Sequence, residues 1–273
     1  MDRFRGSRKH MRRNTKLDEK VVKRGIITPD KHFPLHDQPA INVVCEAIRR
    51  VKPDFYVDLG DTGEWGSVSH FQWKKKKRPP LEYQLPRVYQ DIKDVNKGMD
   101  QIDKALDAVK CNERYFLEGN HEQWLNGFSE ENPYLQGLTV KEALLLEQRG
   151  YEYYPNGKYL RIGHLHYYHG NHYSGVAHAR NHLTRLGCNV MYGHHHDLQM
   201  ASVTHVDGPK SAWSIGCLKN MSDEANGWLG NRKTNWQHAF AVVDYYTDDR
   251  FTVHVVNILD GVTSLWGKTI DGN

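Results

Sequence analysis

Three apolar runs in the first half of the chain each end in a turn that carries Asp, Asn or His. Residues 21–28 lead into Pro29-Asp30-Lys31-His32, residues 55–59 into Gly60-Asp61, and residues 114–117 into Gly119-Asn120-His121-Glu122. Between the first two lies a helical stretch, 38–51, with Ile41, Val44, Cys45 and Ile48 at the spacing of one helix face. Strand, helix and strand in that order predict a sheet joined by crossover helices. In open α/β sheets, ligands bind just beyond the carboxyl ends of the strands. The three polar turns are therefore expected to share one crevice. Glycine before Asp61 and before Asn120 is expected to let the backbone turn sharply into it.

A longer helix is predicted between the second and third strands. Leu85, Val88, Ile92, Val95, Met99, Ile102, Leu106 and Val109 fall at alternating spacings of three and four, which makes a narrow apolar seam. Such a seam covers one face of a sheet or joins two copies of a chain. We expect the sheet, with a homodimer through helix 81–110 as the other use; Gly98 weakens a coiled coil. The second half reads as strands at 159–162, 165–168, 189–192, 198–206, 211–215, 238–243 and 251–256, interrupted by a helix at 176–186. The expected fold class is α/β: two packed mixed β-sheets flanked by helices, forming a single domain over residues 21–273.

The histidines are unevenly placed. Nine of the 17 lie between His164 and His196. In Gly193-His194-His195-His196, the first and third imidazoles are expected on one side of an extended segment and His195 on the other. The same alternation would pair Asp30 with His32 and turn Lys31 away. Most of His164, His166, His172, His178 and His182 read as structural or solvated. Asp, Asn and His together are oxygen and nitrogen ligands suited to Mn²⁺, Zn²⁺, Fe or Mg²⁺.

Charge and cysteine usage narrow the setting. No run approaches the roughly 18 apolar residues of a membrane helix, and the charged N-terminus lacks the apolar core of a secretory signal. The four cysteines form no CxxC pair and read as reduced core thiols of a cytoplasmic protein. Residues 1–24 hold ten lysines and arginines against three acids. Residues 1–20 are expected to be a flexible basic tail, and Lys74-Lys75-Lys76-Lys77-Arg78 forms a second basic run. Both are solvated segments by default, and footprints for a polyanion on the sharper reading.

Taken in order, Asp-x-His, Gly-Asp, Gly-Asn-His-Glu, His-Gly and Gly-His-x-His resemble the five motifs of calcineurin-like metallophosphoesterases. The matching positions are Asp30/His32, Gly60/Asp61, Gly119 to Glu122, His169/Gly170 and Gly193 to His196. The match spans about residues 25–200, and the region around Cys217 and Asn235 to Phe240 is more loosely similar to small phosphoesterases of bacteriophages. Pro29 departs from the pattern, standing where glycine is common. The resemblance implies two divalent cations, manganese ahead of zinc, iron, magnesium or nickel. It implies that Asp30, His32, Asp61 and His196 hold the first cation. Asp61, Asn120, His169 and His194 would hold the second, with Asp61 bridging. Asn120 and His121 would also bind the substrate phosphate, and His121 would protonate the leaving oxygen. It further implies in-line attack by a hydroxide bridging the ions, which in such sites stand roughly 3.5–4 Å apart.

The substrate class is narrowed by two departures. Protein phosphatases of this superfamily carry glycine after the first motif's His and Asp-Arg-Gly after the second. Here the residues are Phe33 and Thr62-Gly63-Glu64-Trp65-Gly66. The pattern is more similar to the diesterase branch, which includes Mre11-type nucleases. A nucleic-acid substrate would suit the basic segments, and Trp65, His70, Phe71 and Trp73 either stack on bases or pack over the rim of the site. The other readings are a phosphomonoesterase acting on nucleotides or phosphoproteins, and a non-catalytic nucleic-acid-binding or scaffold subunit.

Overall fold

A computed structural model describes residues 21–74, 76–230 and 232–273; the basic segment 1–20 lies outside them. The first half supplies strands β1 (Val21–Thr28), β2 (Phe55–Asp58), β3 (Glu113–Leu117) and β4 (Tyr151–Tyr154). Helices α1 (Gln38–Val51), α2 (His70–Trp73), α3 (Leu81–Ala108), α4 (Asn120–Glu131) and α5 (Val140–Ala143) connect them. The second half supplies β5 (Leu160–Ile162), β6 (Leu165–Tyr167), α6 (His178–Leu186), β7 (Asn189–Tyr192), β8 (Leu198–His205) and β9 (Gly208–Ile215). It closes with β10 (His238–Tyr246), β11 (Phe251–Ile258), β12 (Val262–Leu265) and β13 (Lys268–Asp271).

Two mixed sheets result, one ordered β11-β10-β1-β2-β3-β4 and one ordered β5-β6-β7-β9-β8, with β12 and β13 as a separate hairpin. In the first, β1 through β4 run parallel, β10 pairs antiparallel with β1, and β11 pairs antiparallel with β10. Central parallel strands are buried on both faces, so they read as unbroken apolar runs. Alternation then divides their side chains. Ile26, Tyr56 and Phe116 enter a core beneath α1 and α3, while Ile27, Phe55, Val57 and Leu117 enter the core between the sheets. On the second sheet, Tyr167, Met191 and Tyr192 complete that inner core, and α6 packs on β7, β8 and β9. Among the described residues, no helix is long and apolar enough to cross a membrane.

The seam of α3 is used within the chain. Val88, Val95, Met99, Ile102 and Leu106 are buried in the first core, and Leu85, Ile92 and Val109 pack against it. A dimer through helix 81–110 would need the same seam. Gly98 has a steric reason: a Cβ there would lie 2.2 Å from the Phe33 ring, so the helix crosses directly over the turn that carries His32. All four cysteines stand free. α2, β4, α4, α5 and the β12–β13 hairpin have no counterpart among the predicted elements.

Candidate metal centre

The carboxyl ends of five strands meet between the two sheets. Asp30, Asp61 and Asn120 stand within three residues of the ends of β1, β2 and β3, and His169 and His194 within two of β6 and β7. The local backbone is not extended as alternation predicts. His32, Asp61, His194 and His196 take positive φ values of 54°, 46°, 66° and 63°, a region costly for residues with a Cβ and tolerated where the surroundings over-determine it. The paired side chains of Asp30/His32 and His194/His196 are thus aimed by left-handed bends. Gly193 has no room for a side chain, since a Cβ there would lie 2.1 Å from Asp30 Oδ1. Gly119 is likewise required by close approach and not by a sharp turn. Its φ is −87°, and a Cβ would lie 2.2 Å from Asp61 Oδ1.

The ligating atoms form two groups. In the first, His196 Nε2 lies 3.2 Å from Asp30 Oδ2 and 3.1 Å from His32 Nε2. In the second, His169 Nε2 lies 3.0 Å from Asn120 Oδ1, 3.3 Å from Asp61 Oδ2 and 3.2 Å from His194 Nδ1. Within each set of Asp30, His32 and His196, and of Asp61, His169 and His194, the ligand atoms lie within 4.8 Å of one another. His166 and His172 stay outside: the former faces the Asn189 carbonyl and the latter Tyr159.

The donor chemistry fits divalent cations. His169 Nδ1–H donates to the Leu59 carbonyl at 2.9 Å, which leaves its Nε2 lone pair facing two oxygen acceptors and another imidazole. Fixing the outer nitrogen in this way is what metal-binding histidines use to present the inner one. Burial, followed by the charge of Lys219, pushes the His32 imidazole down to about 3. Burial and neighbouring His169 do the same to His194, so both rings are neutral ligands near pH 7. Burial works to raise Asp61, but facing His169 and His121 hold it well below the usual carboxylate range. Asp30 is also held below that range, its burial overcome by contact with His196. Against its own burial, the charge of Asp61 raises His169 to about 10: these converging lone pairs demand a positive charge, as a proton or as a cation.

His121 opens α4 at the rim of both groups. Its N–H donates to Asp61 Oδ1 at 2.9 Å and its Nδ1–H to the Glu64 carbonyl at 2.8 Å. Nε2 is left 3.9 Å from Asp61 Oδ2, and the ring packs over Trp124 at 3.9 Å between centroids.

A buried layer fixes these turns. The Glu122 carboxylate accepts from Asp61 N, Gly119 N, Thr62 N, Gly63 N and Trp65 Nε1 at 2.8–3.2 Å. From the third helical position it reaches back to the cap residue, as in a capping box. Lys31 turns away from the site and pairs with Asp58 at 2.8 Å, wholly buried. Asp58 also accepts from Gly60 N and Thr62 Oγ1. Four residues at the centre carry no prediction in the sequence. Glu64 Oε2 lies 2.8 Å from His32 Nδ1 and 2.7 Å from Lys219 Nζ. Trp236 packs on His196 at 4.7 Å, and Trp124 covers His121. Glu64, three residues beyond Asp61, and Trp124, three beyond His121 on α4, had a spacing signal. Trp236 lies in the 235–240 stretch that the looser resemblance marked without a role, and Lys219 follows the likewise marked Cys217 in an irregular segment with no spacing signal. Of the two uses open to Trp65, base stacking or packing beside the site, the structure has the second: it is buried with its indole N–H on Glu122.

No protein-family model and no curated protein matches the chain. Among solved structures, a Vps29 single mutant from Entamoeba histolytica is similar at 14% identity, over 92% of this chain and 99% of that one, with a TM-score of 0.46. Yfce, a phosphoesterase from E. coli, is similar at 13% identity over 86% and 100%, TM-score 0.38. A dimetal phosphatase from Danio rerio is similar at 12% identity over 86% and 96%, TM-score 0.43. At such values the likeness carries no conclusion about chemistry.

Proposed function

We propose that this chain is a metal-dependent phosphoesterase of the calcineurin-like class and that its substrate is a phosphodiester, with a nucleic-acid strand favoured. One observation carries the reading: seven nitrogen and oxygen ligands from five strand ends converge in two groups, with His121 at their rim. Asp30, His32 and His196 would hold one divalent cation, Asn120, His169 and His194 the other, and Asp61 would touch both. Cations there would supply Lewis-acid charge to a phosphoryl group and acidify water.

The remaining work falls to the chain. His121 keeps Nδ1–H on the Glu64 carbonyl, which leaves Nε2 for the substrate. Its Nε2 proton is thereby available to the leaving oxygen of a diester, as general acid catalysis requires. Asp61 takes the His121 N–H, so one residue orders both the ligand set and the acid. Among the described residues no arginine contacts any of the eight site residues, and the buried cation Lys219 is paired with Glu64. That favours a singly charged diester over a doubly charged monoester. Aromatic rings on two sides support a nucleotide chain: Phe71, exposed, lies 5.7 Å from Trp124, and Trp228, exposed, 6.2 Å from Trp236. Such faces stack on bases.

Purified protein loaded with Mn²⁺ is to be assayed on bis-p-nitrophenyl phosphate, p-nitrophenyl phosphate and single-stranded DNA. Metal-dependent turnover of the diester and of DNA, ahead of the monoester, is expected. His121→Ala should lose about 10²–10⁴-fold in kcat with metal content unchanged. A folded, metal-loaded protein that turns over none of the three refutes the reading.

A further inference from the structure

The nine clustered histidines are not exhausted by the centre above. His178 and His182 stand at i and i+4 on α6, a spacing that places two imidazoles on one helix face and that metal-binding helices use. His195 comes to the same place from the turn after β7. Ligand atoms of the three lie within 4.8 Å of one another. The Asp197 carboxylate adjoins them, Oδ1 lying 2.8 Å from His178 Nε2.

The outer nitrogens are held. His178 Nδ1 meets the Tyr192 hydroxyl at 2.8 Å, His182 Nδ1 meets the Tyr168 hydroxyl, and His195 Nε2–H donates to the Tyr173 carbonyl at 3.0 Å. For His178 and His182 this is the arrangement by which outer partners orient metal-binding imidazoles; His195 would release Tyr173 on binding. His182 Nε2 is the telling atom. The residue is 0% exposed, and this nitrogen has no hydrogen-bond partner. A buried polar atom left without a partner is costly and calls for an explanation. Its side chain is held neutral, burial pushing it down to about 3. A cavity of about 300 Å³, lined by Val176, His178, His195, Asp197, Asn235 and Trp236 among others, gives access from solvent.

We propose that His178, His182 and His195, with Asp197 as fourth donor, form a further metal site that takes a zinc-class cation. Three imidazoles and a carboxylate suit that class. His195 stacks on His178 at 3.8 Å between centroids and 17° between planes, so binding requires the His195 ring to turn until its lone pair meets the shared point. His178 exchanges tautomer: Nδ1–H then donates to Tyr192, and Nε2 shares the cation with Asp197. Because His195 stands between His194 and His196, the site would tie α6 to the turn that carries two ligands of the main centre. The inference does not depend on the proposed activity.

The test is zinc alone, added to the metal-free full chain. Metal analysis should give one ion per chain more for the wild type than for His182→Ala. Zinc-edge anomalous diffraction from wild-type crystals should place a peak among His178, His182 and His195. A zinc peak at this cluster supports this site whatever the main centre holds, and the proposed function is judged separately by the Mn²⁺ assay. Absence of a peak at the cluster in zinc-saturated wild-type crystals overturns it, whether or not His182→Ala folds.

Discussion

Glu122→Gln tests the buried layer beneath the centre. The carboxylate faces five N–H donors, two on Oε2 and three on Oε1, and it is wholly buried. Burial and the charge of Asp61 push this carboxyl up to about 8, while the five donors favour its ionised form. Glutamine keeps the shape but offers one oxygen. With that oxygen turned to the group of three, its NH₂ faces Asp61 N and Gly119 N, and two buried donors lose their acceptor. Each such loss costs about 1–3 kcal/mol, so the substitution should cost roughly 2–6 kcal/mol. Urea denaturation of metal-free protein at pH 9, above the raised value of this carboxyl and with chelator present, measures the loss as a shift in midpoint at unchanged slope. Chelator is needed because bound cations add stability by mass action. A loss below about 1 kcal/mol would mean that the five N–H groups do not depend on an acceptor with two oxygens. The account of how Asp61 is held would then fail.

Three further outcomes are expected. Lys31→Met leaves Asp58 buried and unpaired beneath the site, and thermal or urea unfolding should show a loss of about 3–5 kcal/mol. Gly98→Ala drives a Cβ to 2.2 Å from the Phe33 ring, so it should destabilise by about 1–3 kcal/mol and weaken Mn²⁺ affinity measured by titration calorimetry, because Phe33 follows His32. His182 titrates near 6.5 when unfolded and at about 3 when folded. The unfolded chain therefore binds the extra proton between those values, and stability falls as pH is lowered through that window. For this residue alone the slope reaches about 1.4 kcal/mol per pH unit. Metal-free His182→Phe, followed by urea unfolding from pH 7 to pH 4, should lose that component of the slope.

What the sequence determined by itself were the features with a short period. Apolar runs ending in polar turns placed the three parallel strands and the residues at their ends. Alternating spacings of three and four placed α3, since side-chain direction in a helix or strand follows from local geometry alone. Five short motifs in order singled out eight residues, and the fold brings all eight to one place. What only the tertiary structure decided were relations between distant segments. Whether His166, His169 or His172 faces Asp61 depends on how the second sheet docks on the first. Glu64, Lys219 and Trp236 join the centre through contacts across as many as 155 residues of chain, and no local pattern encodes such contacts. The left-handed bends at His32, Asp61, His194 and His196 were hidden for the same reason: non-glycine residues hold positive φ only where surrounding bonds over-determine it, and those bonds come from elsewhere in the fold.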